Sequence, residues 1–166
     1  YLFLSSFFDG AYLLKLDPQS TSAKMVYHRH GSSERQTDAL HCTISTPLIR
    51  EGYIYGSDSY GETRCLELKS GERLWEDLGP VPKDRWANVH WVKQGDKVWG
   101  FNEKGELLLG KFSPRGYEDL GRVKVIDPVK ISPNPRNGVN WAHPAFSGNY
   151  ILFRSDSKLV CMEINP

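Results

Sequence analysis

The side chains best suited to recognition chemistry fall into three groups: His41 and Thr46, then Trp86, Asn88 and His90, then Trp141 and His143. Indole rings stack, and imidazole and amide groups make directional hydrogen bonds. Brought together, the seven could line a ligand funnel. The plain alternative is that they pack between structural units or satisfy loop backbone. His41, His90 and His143 could meet around a metal only if the fold gathered them. None has the short local spacing typical of zinc ligands, so no metal is expected. His28 and His30, two residues apart, share one face of a strand and fit a solvated outer edge. Cys42, Cys65 and Cys161 show no C-x-x-C spacing and cannot all pair. No catalytic residue is expected.

The elements that must position these groups come from a repeat. YIYGSDSYGETRCLEL (53–68) aligns with KVWGFNEKGELLLGKF (97–112), with YILFRSDSKLVCMEI (150–164) and, more loosely, with YLFLSSFFDGAYLLKLD (1–17). The turn residues Gly10, Gly61, Gly105 and Ser157 lie 51, 44 and 52 residues apart. Each unit reads as short strands around Gly-rich turns, and no segment has a helical period. A period in this range is that of propeller blades. The expected fold is therefore all-β: a β-propeller of four-stranded antiparallel blades, here a partial one of about four blades spanning roughly 1–40, 41–85, 86–137 and 138–166.

Within a blade, strand A is the TPLI, VHWV or HPAF segment. Strand B is YIYG or its relatives, C is TRCLEL, and D is ERLWE. The chain reads B-C-D, twice A-B-C-D, then A-B-C. Strand A of a propeller lines the central channel, so the three groups of recognition residues should sit at one mouth of it. The same strand C slot, four residues after the turn, holds Cys65, Leu109 and Cys161. Cysteine here behaves as a buried apolar residue. The first copy offers Leu14 for this slot, or a frame shifted by one residue.

Composition narrows the partners. Lys plus Arg number 21 and Asp plus Glu 20, a net charge of +1, which gives no electrostatic case for nucleic acid. No apolar run reaches the length of a membrane span.

CLELKSGERLW (65–75) resembles the tryptophan-docking motif of the quinoprotein, or pyrroloquinoline-quinone (PQQ)-like, β-propeller repeat family, A-x-D-x-x-T-G-x-x-x-W. Cys65, Glu67, Ser70, Gly71 and Trp75 stand at its five positions. In that family the Trp of one blade packs on its neighbour. In SPRGYEDL (113–120) Leu120 stands where the Trp would be, so Trp75 is the only complete docking tryptophan. The longer wording around LHCTISTPLIREGYIYG resembles a BamB-like bacterial subgroup. That resemblance implies a propeller of about eight blades exported to the periplasm or cell envelope, and a non-catalytic scaffold for a protein or ligand.

The alternative is a piece of a PQQ-dependent oxidoreductase. Quinoprotein dehydrogenases hold the quinone between a Trp and a disulfide of adjacent cysteines, with calcium and an Asp base. No adjacent cysteines exist here, and no Asp or Glu forms a recognisable pattern near the mouth segments. No cofactor is expected; PQQ with calcium belongs only to the alternative. A sialidase Asp-box fails in SDSYGETR (57–64) on spacing, and Asp58 reads as a turn residue bonding nearby backbone N–H groups.

The opening run YLFL and the strand count suggest a longer protein. The missing strands should come from upstream sequence or from another chain. Pro166 should stop the last strand from continuing, and the open edges should leave an arc that is poorly soluble or pairs edge to edge.

Overall fold

A computed structural model describes residues 1–129 and 138–164. Among these described residues, fourteen strands form four antiparallel sheets. Blade 1 has β1 (Leu2–Ser6), β2 (Gly10–Leu16) and β3 (Ala23–Arg29). Blade 2 has β4 (Leu48–Arg50), β5 (Tyr53–Ser57), β6 (Thr63–Glu67) and β7 (Arg73–Asp77). Blade 3 has β8 (Val89–Gln94), β9 (Lys97–Asn102), β10 (Glu106–Ser113) and β11 (Gly116–Lys124). Blade 4 has β12 (Ala145–Ser147), β13 (Tyr150–Arg154) and β14 (Leu159–Glu163). Each sheet is a meander in chain order. The described strands thus run B-C-D, A-B-C-D, A-B-C-D and A-B-C. Pro166 lies outside the described residues.

The core lies between blades. Ala11, Leu40, Ile54 and Leu66 fill the space between blades 1 and 2. Tyr55, Cys65, Val89, Trp91 and Phe112 fill that between blades 2 and 3. Phe101, Leu107, Ile151 and Phe153 fill that between blades 3 and 4. Alternation along a strand explains the division: Ile54 and Leu66 face back to blade 1, while Tyr55 and Cys65 face forward to blade 3. Tyr55 and Phe112 stack with ring centroids 4.8 Å apart. Trp91 of strand A lies flat over Gly100 of strand B. A Cβ there would come within 2.5 Å of the indole, so only glycine fits.

A second contact repeats at the C–D turns. Glu67 accepts the Ser70 backbone N–H at 2.6 Å, and Gly71 (φ +72°) donates its own N–H to the Glu67 carbonyl. The turn is tight enough for the previous blade to settle on it. Tyr27 of blade 1 lies over Gly71, where an added Cβ would meet its ring at 3.0 Å. Arg29 Nη1 donates to Ser70 O at 2.9 Å. One blade on, the half-buried Trp75 packs near Phe112 and donates Nε1–H to Ser113 O at 2.9 Å.

The registers correct three expectations. Phe3 pairs with Leu13 as Tyr55 does with Cys65, so Leu13, not Leu14, holds the strand C slot of blade 1. Strand D carries a bulge in each complete C–D pair, between Leu13/Leu14, Cys65/Leu66 and Leu109/Gly110 on the facing strand. The bulge makes Leu120 the counterpart of Leu74. The slot of Trp75 is filled by Tyr27 in blade 1 and by Gly121 in blade 3, so Leu120 does not replace the tryptophan. Cys161 is exposed, whereas Cys42 and Cys65 are buried, and all three are free. Cys65 lies under blade 3. The equivalent face of β14 has no blade against it among the described residues.

Two outcomes follow. Trp75→Ala should lower stability in urea unfolding by about 3 kcal/mol, and Trp75→Phe by about 1 kcal/mol for the lost indole hydrogen bond. In the native chain a thiol reagent should label Cys161 rapidly and leave Cys42 and Cys65 protected until unfolding. Equal rates at the three thiols would contradict this packing.

Candidate functional site

The D–A linkers and the B–C turns gather at one end of the blades. There the three recognition groups separate into distinct jobs. His41 is 2 % exposed. Its Nδ1–H donates to Phe7 O at 3.0 Å and its Nε2 accepts the Gly31 N–H at 3.2 Å. Both ring nitrogens are used to hold blade 1 to the linker, so His41 is a packing histidine. Thr46 is exposed. Asn88 and His90 are buried, with Asn88 Nδ2 3.2 Å from His90 Nε2. His90 Nε2 also lies 3.1 Å from Trp141 O, and its Nδ1 has no hydrogen-bond partner. The exposed His143 covers this ring, centroid to centroid 3.7 Å. Among the described residues no three of His, Cys, Asp and Glu come together as a metal group.

The mouth does contain carboxylates, contrary to the sequence reading. Glu103 is 0 % exposed. Its Oε2 accepts the Trp141 indole N–H at 3.2 Å and its Oε1 lies 3.0 Å from Lys104 Nζ. Asp58 is 2 % exposed, and within its own turn its carboxylate accepts only from the Ser59 hydroxyl, at 3.3 Å, rather than from backbone N–H groups. Its Oδ1 accepts the His41 backbone N–H at 2.6 Å and pairs with Arg64 Nη1 at 3.0 Å, and its Oδ2 accepts from Thr37 Oγ1 at 2.7 Å. The Asp58 carboxylate therefore reaches a linker 17 residues away. Arg64 completes the network by donating to Ala39 O at 3.0 Å. Such a pair is tolerable in the interior because the carboxylate also accepts from His41 and Thr37 and the guanidinium also donates to Thr37, Ala39 and Glu76. The separation of Asp58 from its linker partners hid this network in the sequence.

An aromatic row crosses the mouth. Phe7 of the blade 1 B–C turn, Trp86 and Trp141 follow one another with centroid spacings of 6.3 and 6.4 Å. Phe8 beside them is 84 % exposed. The Arg85 guanidinium stacks 4.5 Å above Trp86 and 5.9 Å above Phe7, and Arg85 Nη2 pairs with Glu34 at 2.6 Å. Trp86 has φ +65°, a left-handed conformation that a bulky side chain adopts only under constraint. The Trp86 N–H donates to Ser59 O at 2.7 Å, and this bond helps to hold it there. Phe7, Arg85 and Glu103 were not signalled by the repeat, because each stands in a turn or linker whose residues align poorly between copies.

The described cysteines lie apart and free. Asp58 and Glu103 are each committed to a cation and to a hydrogen-bond donor.

Burial, then the neighbouring His143, hold His90 well below its ordinary value of 6.5, at about 4. The unfolded chain takes up this proton first. Stability from His90 is therefore complete above pH 6.5 and falls as pH drops towards 4, by up to about 3 kcal/mol. Urea midpoints of wild type and His90→Gln, compared from pH 7.5 to 4.5, should converge on acidification. Parallel pH profiles would contradict this.

No family model matches the sequence, and none of the curated proteins matches it. The fold is similar to the crystal structure of BamB from Moraxella catarrhalis, with a TM-score of 0.56 and 13 % identity over 92 % of this chain. The chain spans 38 % of the length of that protein. With four antiparallel sheets packed face to face and no helix among the described residues, the chain folds as part of a β-propeller.

Proposed function

We propose that this part of the propeller is a non-catalytic scaffold, working outside the cytoplasm, that takes an extended segment of a protein partner across the aromatic mouth. The observation that carries the reading is the row Phe7–Trp86–Trp141, with Trp86 held at φ +65°. Strain at an aromatic residue on a surface marks a position held for contact rather than for packing. The ring spacings of 6.3 and 6.4 Å are close to the roughly 6.6 Å between every second residue of an extended chain. Arg85, stacked on the row and paired with Glu34, adds a planar hydrogen-bonding group that suits carbonyl-rich segments. The resemblance to BamB-like repeats supports a docking role and an extracytoplasmic place.

The test is site-specific photo-crosslinking in cells, with the full-length protein carrying a benzophenone side chain at Phe8 or Trp86, or as control at Gly52 of the A–B turn at the far end of blade 2. Discrete protein adducts from Phe8 and Trp86, abolished by Trp141→Ala, are expected, with none from Gly52. Adducts from Gly52 alone would overturn the reading.

A further inference from the structure

In blades 2 and 3 one side chain ties the B–C turn to the linker ahead of its own blade. In blade 2 it is Asp58, which accepts the His41 N–H. In blade 3 it is Asn102, whose Nδ2 donates to Pro80 O at 2.9 Å. The counterpart in blade 4 is Ser155. Its hydroxyl is too short to cross and instead accepts the N–H groups of Ser157 and Lys158 in its own turn.

The space left open is a cleft of about 250 Å³. One wall is Val139, Asn140, Trp141 and Ala142 of the linker, and the other is Arg154 at the end of β13 with Ser155 and Asp156 of the turn. Asn140 is 3 % exposed, and its side-chain Nδ2 has no hydrogen-bond partner. A buried amide N–H without an acceptor is costly, and most such groups in proteins are satisfied. Arg154, on the other wall, is exposed, with no ion pair or hydrogen bond from its guanidinium among the described residues. In blade 2 the corresponding place is occupied by the Asp58 carboxylate, which receives one linker N–H and one guanidinium. Blade 4 has a side-chain donor on the linker and, at the end of strand B rather than on strand C, a guanidinium, and it lacks the carboxylate.

We infer that this cleft binds a carboxylate supplied by a ligand, in the place that Asp58 fills from within the chain. Asn140 Nδ2 donates to one oxygen, Arg154 neutralises the charge, and the Trp141 ring forms the apolar side. Asp156 at the rim disfavours dianions and selects a monocarboxylate. The carboxylate belongs either to a small free acid or to the C-terminus of a peptide, and the recognition chemistry is the same for both.

The experiment is an ¹⁵N NMR titration of the chain, following the Asn140 side-chain amide and the Trp141 indole N–H. The probes are sodium acetate, a short peptide with a free C-terminus and the same peptide amidated, with sodium chloride at equal ionic strength as control. Saturable shifts with acetate or the free-acid peptide are expected, and no saturable shift with the amidated peptide or chloride. Tighter binding of the peptide than of acetate identifies a C-terminus as the ligand, and equal binding identifies a small acid. Arg154→Gln should weaken binding roughly tenfold, and Asp156→Asn should tighten it. Ser155→Asp should fill the cleft as Asp58 does and abolish binding, with the Trp75 indole signal unchanged as evidence of an intact fold. Shifts matching the chloride control, or binding that survives both Ser155→Asp and Arg154→Gln, would overturn the inference.

Discussion

A four-stranded sheet has two faces, and neither can be buried by the sheet itself. Every feature of this chain depends on the contact of one sheet face with the next. The Tyr55–Phe112 stack, the seat of Trp91 on Gly100 and the Phe101–Phe153 contact are all contacts of this kind. They set how closely blades approach, and that approach fixes where the linkers pass over the mouth. The C–D turns add a lock. Tyr27 and Trp75 each reach forward onto the turn of the following blade, so a blade is held by its core face and by its outer strand.

The same logic accounts for the polar side chains at the mouth. A linker that crosses from the outer strand of one blade to the inner strand of the next carries backbone groups that must be satisfied. Asp58, Asn102 and His41 meet that need with side chains from the turns and linkers. On the reading proposed above, recognition falls to the aromatic row with Arg85 and to the cleft of blade 4, although Trp141 and Arg85 also bond to the frame. His90 stands between the two classes. It is packed like a frame residue, and its burial, with His143 against it, makes the mouth sensitive to acid.

Periodicity made the strand order, the turn glycines and the tryptophan motif legible. Leu120 was misplaced because a β-bulge inserts a residue, and a bulge leaves no mark in hydrophobic alternation. Cys161 was expected to be buried because its slot matches Cys65. Burial is a property of the blade that covers the slot, and no described blade covers that face of β14. The exposed Thr46 shows the converse, a residue that shares a position pattern with its neighbours and none of their contacts.

By itself the sequence determined the repeat: local alternation and Gly-permitted turns prescribe antiparallel strands of a given length and order, whatever surrounds them. It also determined that the faces would be apolar and that glycine would stand where a ring had to lie against backbone. Only the tertiary structure decided which of the recognition residues are spent on the frame. His41 and Asp58 bond to each other across a loop, Glu103 is buried beneath Trp141, and Trp86 is turned into a left-handed conformation. These are contacts between segments far apart in the chain. Their energies arise only once the blades have closed on one another, so no local pattern of residue types encodes them.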